Sequence, residues 1–102
     1  MTVSAFIQDP NAVRTYGIDW TLDPGDTITA STWTRLKDDD VTATTDIVIG
    51  TTQFTNTPTP KTTVRLSWSP PVIGTCVHVI NHVTTAAGSQ EDHTLIITCI
   101  QE

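Results

Sequence analysis

The sequence predicts an all-β chain, an immunoglobulin-like antiparallel β-sandwich of about seven strands, and three observations lead there. Thr (22), Ile (10) and Val (9) together make up 41 of its 102 residues, and such β-branched side chains, stiff at χ1, suit a pleated sheet better than a helix. No stretch places apolar residues at i, i+3, i+4 and i+7 over a helix length, whereas period-two alternation recurs throughout. Six Pro and five Gly divide the chain into short segments at regular intervals, the spacing expected of a two-sheet sandwich. At 102 residues it is expected to form one domain, 1–102, with a single modest core.

The first strand is expected over about Val3 to Gln8, ending at Asp9-Pro10, because the residue before proline is pushed to extended geometry and proline offers no amide hydrogen. A second strand puts Tyr16, Ile18 and Trp20 on one face and Thr15, Gly17 and Asp19 on the other. Asp23-Pro-Gly-Asp26 reads as a turn in which Pro24 presets φ and Gly25 accepts a positive φ. The third strand, Thr27 to Trp33, leads into a charged loop, Arg35 to Asp40. Val41 to Ile49 reads as a fourth strand closed by Gly50, with Thr51 to Thr55 a short fifth. Asn56-Thr-Pro-Thr-Pro60 is a loop or edge, since two prolines would break an inner ladder.

Thr63 to Trp68 forms the next strand, with Val64, Leu66 and Trp68 on one face, and Ser69-Pro-Pro71 stops it. The last two, about Cys76 to Thr84 and His93 to Ile100, are separated by a connection too short for a parallel crossover and are expected to form an antiparallel hairpin. Centring it on Gly88 pairs Val77 with Cys99 and Val79 with Ile97, apolar against apolar.

Five Lys+Arg against eleven Asp+Glu give a net charge of −6, the wrong sign for a chain that neutralises phosphates, so nucleic acid is not expected as a partner. No apolar run approaches the roughly 20 residues of a membrane helix, and the start lacks a basic segment followed by an apolar stretch, so neither a membrane span nor a signal peptide is expected. Charged residues are 16% of the chain, below the roughly 25% typical of soluble domains, so threonine supplies much of the polar surface.

The candidate chemical groups are weak. In the hairpin register Cys76 and Cys99 point to opposite faces, so two free thiols are expected, in keeping with a reducing compartment, and a bridge would need a one-residue slip. His78 and His82 share an outer strand face but lie roughly 13 Å apart at about 3.3 Å per residue, too far for one ion, and no zinc-type ligand spacing exists. They read instead as side chains available to a neighbouring subunit. Asp38-Asp39-Asp40 and the Asp23/Asp26 turn lack the spacing of a calcium loop and read as solvated, while Asp19 is expected to bond a turn. With no nucleophile motif, phosphate loop or metalloprotease motif, no enzyme activity, metal or cofactor is expected. Trp20 and Trp33 read as core, and Trp68, beside Ser-Pro-Pro, as the tryptophan most open to a partner.

Two blocks carry a resemblance: Tyr16-Gly-Ile-Asp-Trp20 with Gly25-Asp-Thr-Ile28 and Ser31-Thr-Trp-Thr34, and Asn81-His-Val-Thr-Thr-Ala-Ala-Gly88 with Glu91-Asp92. In this order and spacing they resemble small tailed-bacteriophage structural proteins of the fiber-tail adaptor family, from about Phe6 to the C-terminus. The resemblance implies a virion component made in the host cytoplasm and repeated by symmetry, which docks on the tail, neck or baseplate and offers a surface to fibers or neighbouring proteins. Partner-contact candidates are Trp68, Pro70, Pro71 and Val72 in one loop, Pro58 and Pro60 in another, and His78 and His82 on the strand face. The alternatives are a capsid decoration (cement) protein, or an immunoglobulin-like module that binds a carbohydrate or receptor.

Overall fold

The computed structural model describes residues 2–101. Within them the chain forms seven strands and no helix: β1 (Thr2–Gln8), β2 (Val13–Asp19), β3 (Ile28–Lys37), β4 (Ile47–Thr55), β5 (Lys61–Trp68), β6 (Cys76–Thr85) and β7 (Gln90–Cys99). They build a four-stranded sheet in the order β1-β7-β6-β3 and a three-stranded sheet in the order β2-β5-β4. All neighbouring pairs are antiparallel except β1 and β7, which run parallel. Two sheets with apolar inner faces form the expected sandwich.

The core is the alternation made three-dimensional. Val64, Leu66 and Trp68 of β5 meet Val77 and Val79 of β6 and Leu95, Ile97 and Cys99 of β7, joined by Tyr16, Ile18 and Ile47. The Asp23–Asp26 turn forms as expected, with the Asp26 amide donating to the Asp23 carbonyl at 3.0 Å and Gly25 at φ 81°.

Three expectations are corrected. The fourth strand runs over Ile47–Thr55, absorbing the segment assigned to a fifth, and Gly50 does not end it but lies where the ladder to β5 shifts register between Ile49 and Thr52. A β-bulge lets one strand continue through a glycine that would otherwise read as a stop. The segment before it, with Asp40 at φ 60°, is a turn held by the Asp39 carboxylate. That group accepts the Val41 and Thr42 amides at 2.9 and 2.8 Å and the Thr42 hydroxyl at 2.5 Å.

Arg35, Leu36 and Lys37 belong to β3 rather than to a charged loop, opposite Val79, His78 and Val77. Finally, the β6–β7 hairpin pairs Val77 with Ile97 and Val79 with Leu95, two residues from the expected register. The turn centres on Ala87: Thr85 donates to the Ser89 carbonyl at 2.9 Å and the Gly88 amide to the Thr85 carbonyl at 3.0 Å. Gly88, at φ 88°, takes the left-handed position that follows a tight turn in a three-residue loop. A shift of two preserves the side-chain faces, so Cys99 is buried, Cys76 faces outward, and both thiols are free.

Candidate docking surfaces

Trp68 is only 6% exposed, which corrects the expectation that it is the tryptophan most open to a partner. Its ring packs in the core and its indole N–H donates to the Gln8 carbonyl at 3.2 Å; the prolines after it turn the chain away, not the side chain outward. Trp20 and Trp33, expected in the core, are half-buried and pack against its margin.

The loop that follows Trp68 does reach solvent. Pro70 and Pro71 are exposed, and Val72 and Ile73 are 52% and 58% exposed. Its backbone is tied down, with the Ser69 amide donating to the Asp46 carbonyl and the Gly74 amide to the Cys99 carbonyl, both at 2.8 Å. Pro58 is exposed and Pro60 half-buried in the loop that enters β5. Because β5 connects them, the two proline loops stand at opposite ends of the sandwich. Asn56 anchors the second loop, accepting the Ile28 amide at 2.7 Å and donating to the Ile28 carbonyl at 3.1 Å.

His78 and His82 lie on the outer face of the four-stranded sheet, away from both loops. Each ring nitrogen Nδ1 bonds a carboxylate oxygen, His78 that of Asp40 at 2.5 Å and His82 that of Asp92 at 2.6 Å. The registers place Leu36, Ile80, Ile96, Ala5 and Val3 on the same face. This face therefore mixes apolar and uncharged groups with two histidine–carboxylate pairs and carries no lysine or arginine. The predicted contact residues thus fall at two ends, on one face and, for Trp68, in the core.

At the end that holds the β6–β7 turn, a cleft of about 550 Å³ is lined by Asp19, Trp20, Thr21, Gln90, Glu91, Asp92 and His93. His93 Nε2 lies 3.0 Å from the Ser4 hydroxyl, and its ring meets Trp20 edge-on with centroids 6.0 Å apart. Burial lowers the His93 pKa from its ordinary value, favouring the neutral ring. At this end the carboxylate that bonds a turn is that of Asp26 rather than Asp19: it accepts the Ala87 amide at 3.0 Å and the Thr27 amide at 2.9 Å, and its pKa is lowered chiefly by the Thr85 hydroxyl. Among the described residues no group of three or more His, Cys, Asp or Glu side chains is placed to hold a metal ion.

Two buried polar networks escape sequence reasoning. Gln8, fully buried, donates to the Leu66 and Ala12 carbonyls, both at 2.9 Å, and accepts the Tyr16 hydroxyl at 2.8 Å. Asn81 donates to the Ser31 hydroxyl at 2.8 Å and the Thr32 carbonyl at 3.0 Å, and accepts from the Thr62 hydroxyl at 2.6 Å, which in turn accepts the Trp20 indole N–H at 2.9 Å. A sequence signal existed for each: a polar residue at an inward-facing position of an otherwise apolar alternation.

The Asn81 network and the Asp26–Ala87 bond join the two resemblance blocks to each other. Trp20, Ser31 and Asp26 of the first bond, directly or through Thr62, to Asn81 and Ala87 of the second. No curated protein matches the chain significantly. The family model described as podophage GP4 fiber-tail adaptor protein gp77 matches residues 8–98, a span that takes in both blocks, β2 to β6 and all of β7 but Cys99. The chain belongs to that phage fiber-tail adaptor family.

Proposed function

We propose that this chain is a non-enzymatic virion component, present in symmetric multiple copies at the tail, neck or baseplate, where it joins fibers to neighbouring structural proteins. Membership in the fiber-tail adaptor family is the observation that carries this reading. The chemistry of the surface supports it. The two proline loops stand at opposite ends of β5, so one copy can touch two neighbours.

Pro70, Pro71 and Val72 at one end, and Pro58 and Pro60 at the other, are contact candidates because proline lowers the entropy lost when a loop is fixed against a partner. Threonine-rich, weakly charged faces cost less to desolvate than ion-rich ones. His78 and His82 present a further face of this kind to neighbouring subunits. The test is quantitative mass spectrometry of purified virions. A copy number near that of the portal ring is expected; copies rivalling the major capsid protein would make the chain a decoration protein, and absence from the particle would end both virion readings.

A further inference from the structure

The two flanks of the sandwich differ. On one, the end of β1 is tied to β2 and β5 by the Gln8 hydrogen bonds to Tyr16, Leu66 and Ala12 and by the Phe6–Tyr16 ring contact at 4.9 Å. On the other, the edge strands β3 and β4 face each other and are joined by side-chain hydrogen bonds near their ends. Arg35 Nη1 donates to the Ile47 carbonyl at 3.0 Å, and Asn56 bonds Ile28.

Between those bonds the interior is uncovered. Phe54 and Thr52 lie opposite the buried Thr62 and Val64, so they occupy the core-facing side of the three-stranded sheet. Yet Phe54 is 44% exposed and Thr52 is exposed. Trp33, on the core side of β3, lines a cavity of about 430 Å³ with Thr34, Arg35, Ala43, Thr44 and Thr45. Its indole Nε1, itself buried, has no hydrogen-bond partner, and a buried donor without one is costly.

The outer edge of β4 is open as well. Its nine residues, Ile47-Val-Ile-Gly-Thr-Thr-Gln-Phe-Thr55, include no charge and no proline, two of the features with which proteins block an edge strand, and beyond the bulge at Ile49–Thr52 the run Thr52–Thr55 is regular. We propose that this edge accepts an extended, uncharged strand from a different virion protein, adding a fourth strand to the three-stranded sheet. Alternate apolar side chains of that strand would cover Phe54 and close the flank towards Trp33. Main-chain pairing supplies the affinity and the inward side chains the specificity. This rests on the adaptor reading and deepens it by naming the surface.

A second copy of the chain fits the edge poorly. An antiparallel β4–β4 pair centred on Thr51 would set the two bulges at Ile49–Thr52 against each other and break the ladder at its middle. Each copy also carries a net charge of −6, which opposes self-association.

The experiment places the photo-reactive residue p-benzoylphenylalanine in place of Phe54 in phage-infected cells, purifies virions, irradiates them and identifies the cross-linked peptide by mass spectrometry. In parallel, Phe54→Lys is compared with Val41→Lys, a change at a loop residue 80% exposed. The expected result is a cross-link to one segment of a different virion protein, with Phe54→Lys entering particles at least about tenfold less than Val41→Lys, a loss of about 1.4 kcal/mol in docking. A cross-link to a second copy, no cross-link, or normal incorporation of a folded Phe54→Lys would overturn the proposal. Should Phe54→Lys fail to fold by circular dichroism, the cross-link alone decides. Absence of the wild-type chain from virions would instead overturn the adaptor reading itself.

Discussion

Gln8 turns an amide into the core, where a polar group left without a partner costs about 1–3 kcal/mol. The fold satisfies it by spending its carbonyl and amino groups on Tyr16, Leu66 and Ala12. Gln8→Ala is therefore expected to destabilise the chain by about 2–4 kcal/mol, from lost hydrogen bonds and the cavity together, as read by urea unfolding. An unchanged midpoint would show that the network is not needed for stability. Trp68 teaches the converse lesson. Its alternation with Val64 and Leu66 marked it as core and its neighbouring prolines suggested a partner; the alternation decided, because an indole buried against Leu66 and bonded to Gln8 has no surface left to offer. Removing it would test folding, not docking.

At the scale of elements, the turn over Asp38–Thr42 shows how a capped carboxylate can hide inside an apparent strand. The alternation of Val41, Ala43 and Thr45 resembles a strand, but Asp39 takes up the Val41 and Thr42 amides and ends that pattern. The Thr42 hydroxyl is the main cause that holds the Asp39 pKa at about 2, below the usual 3.8. Because the folded value is the lower one, this turn's contribution is complete above about pH 4 and is lost as pH falls through about 2. A carboxyl-carbon NMR titration should place the Asp39 midpoint near 2, and Thr42→Val should return it towards 3.8. A wild-type midpoint near 3.8 would mean that the capping bonds do not persist in solution. The β6–β7 hairpin makes a related point: glycine was legible as the turn residue, but a positive-φ glycine sits after the tight turn rather than at its centre.

At the scale of the whole molecule, the family's sequence signature and most of the proposed contact surfaces separate. Trp20, Ser31, Asp26, Asn81 and Ala87 bond one another or Thr62 of β5, and Tyr16 bonds Gln8 of β1, so the signature encodes how the two sheets are joined. Of the proposed contact surfaces, those at Pro70–Ile73, at Pro58 and along β4 lie outside those blocks, and the outer strand face meets them at His82. Val72→Asp should thus leave stability unchanged to within about 0.5 kcal/mol, as usual for an exposed site, while lowering incorporation into virions. Normal incorporation would remove that tip from the contact set. A family can in this way keep its fold while its members dock on different neighbours.

The sequence by itself determined the all-β class, five of the seven strands closely, the turn at Asp23–Asp26, the inward faces of β2, β5, β6 and β7, and the opposite facing of the two cysteines. Those features follow from local chemistry: the period of the alternation, the φ preferences of proline and glycine, and the parity of a pleated strand. Only the tertiary structure decided the parallel pairing of β1 with β7, the bulge that carries β4 through Gly50, the roles of Gln8 and Asn81, and which flank stays open. Each depends on which strands become neighbours. A strand's own pattern fixes its faces, whereas its edges are satisfied or left free by segments distant in the chain.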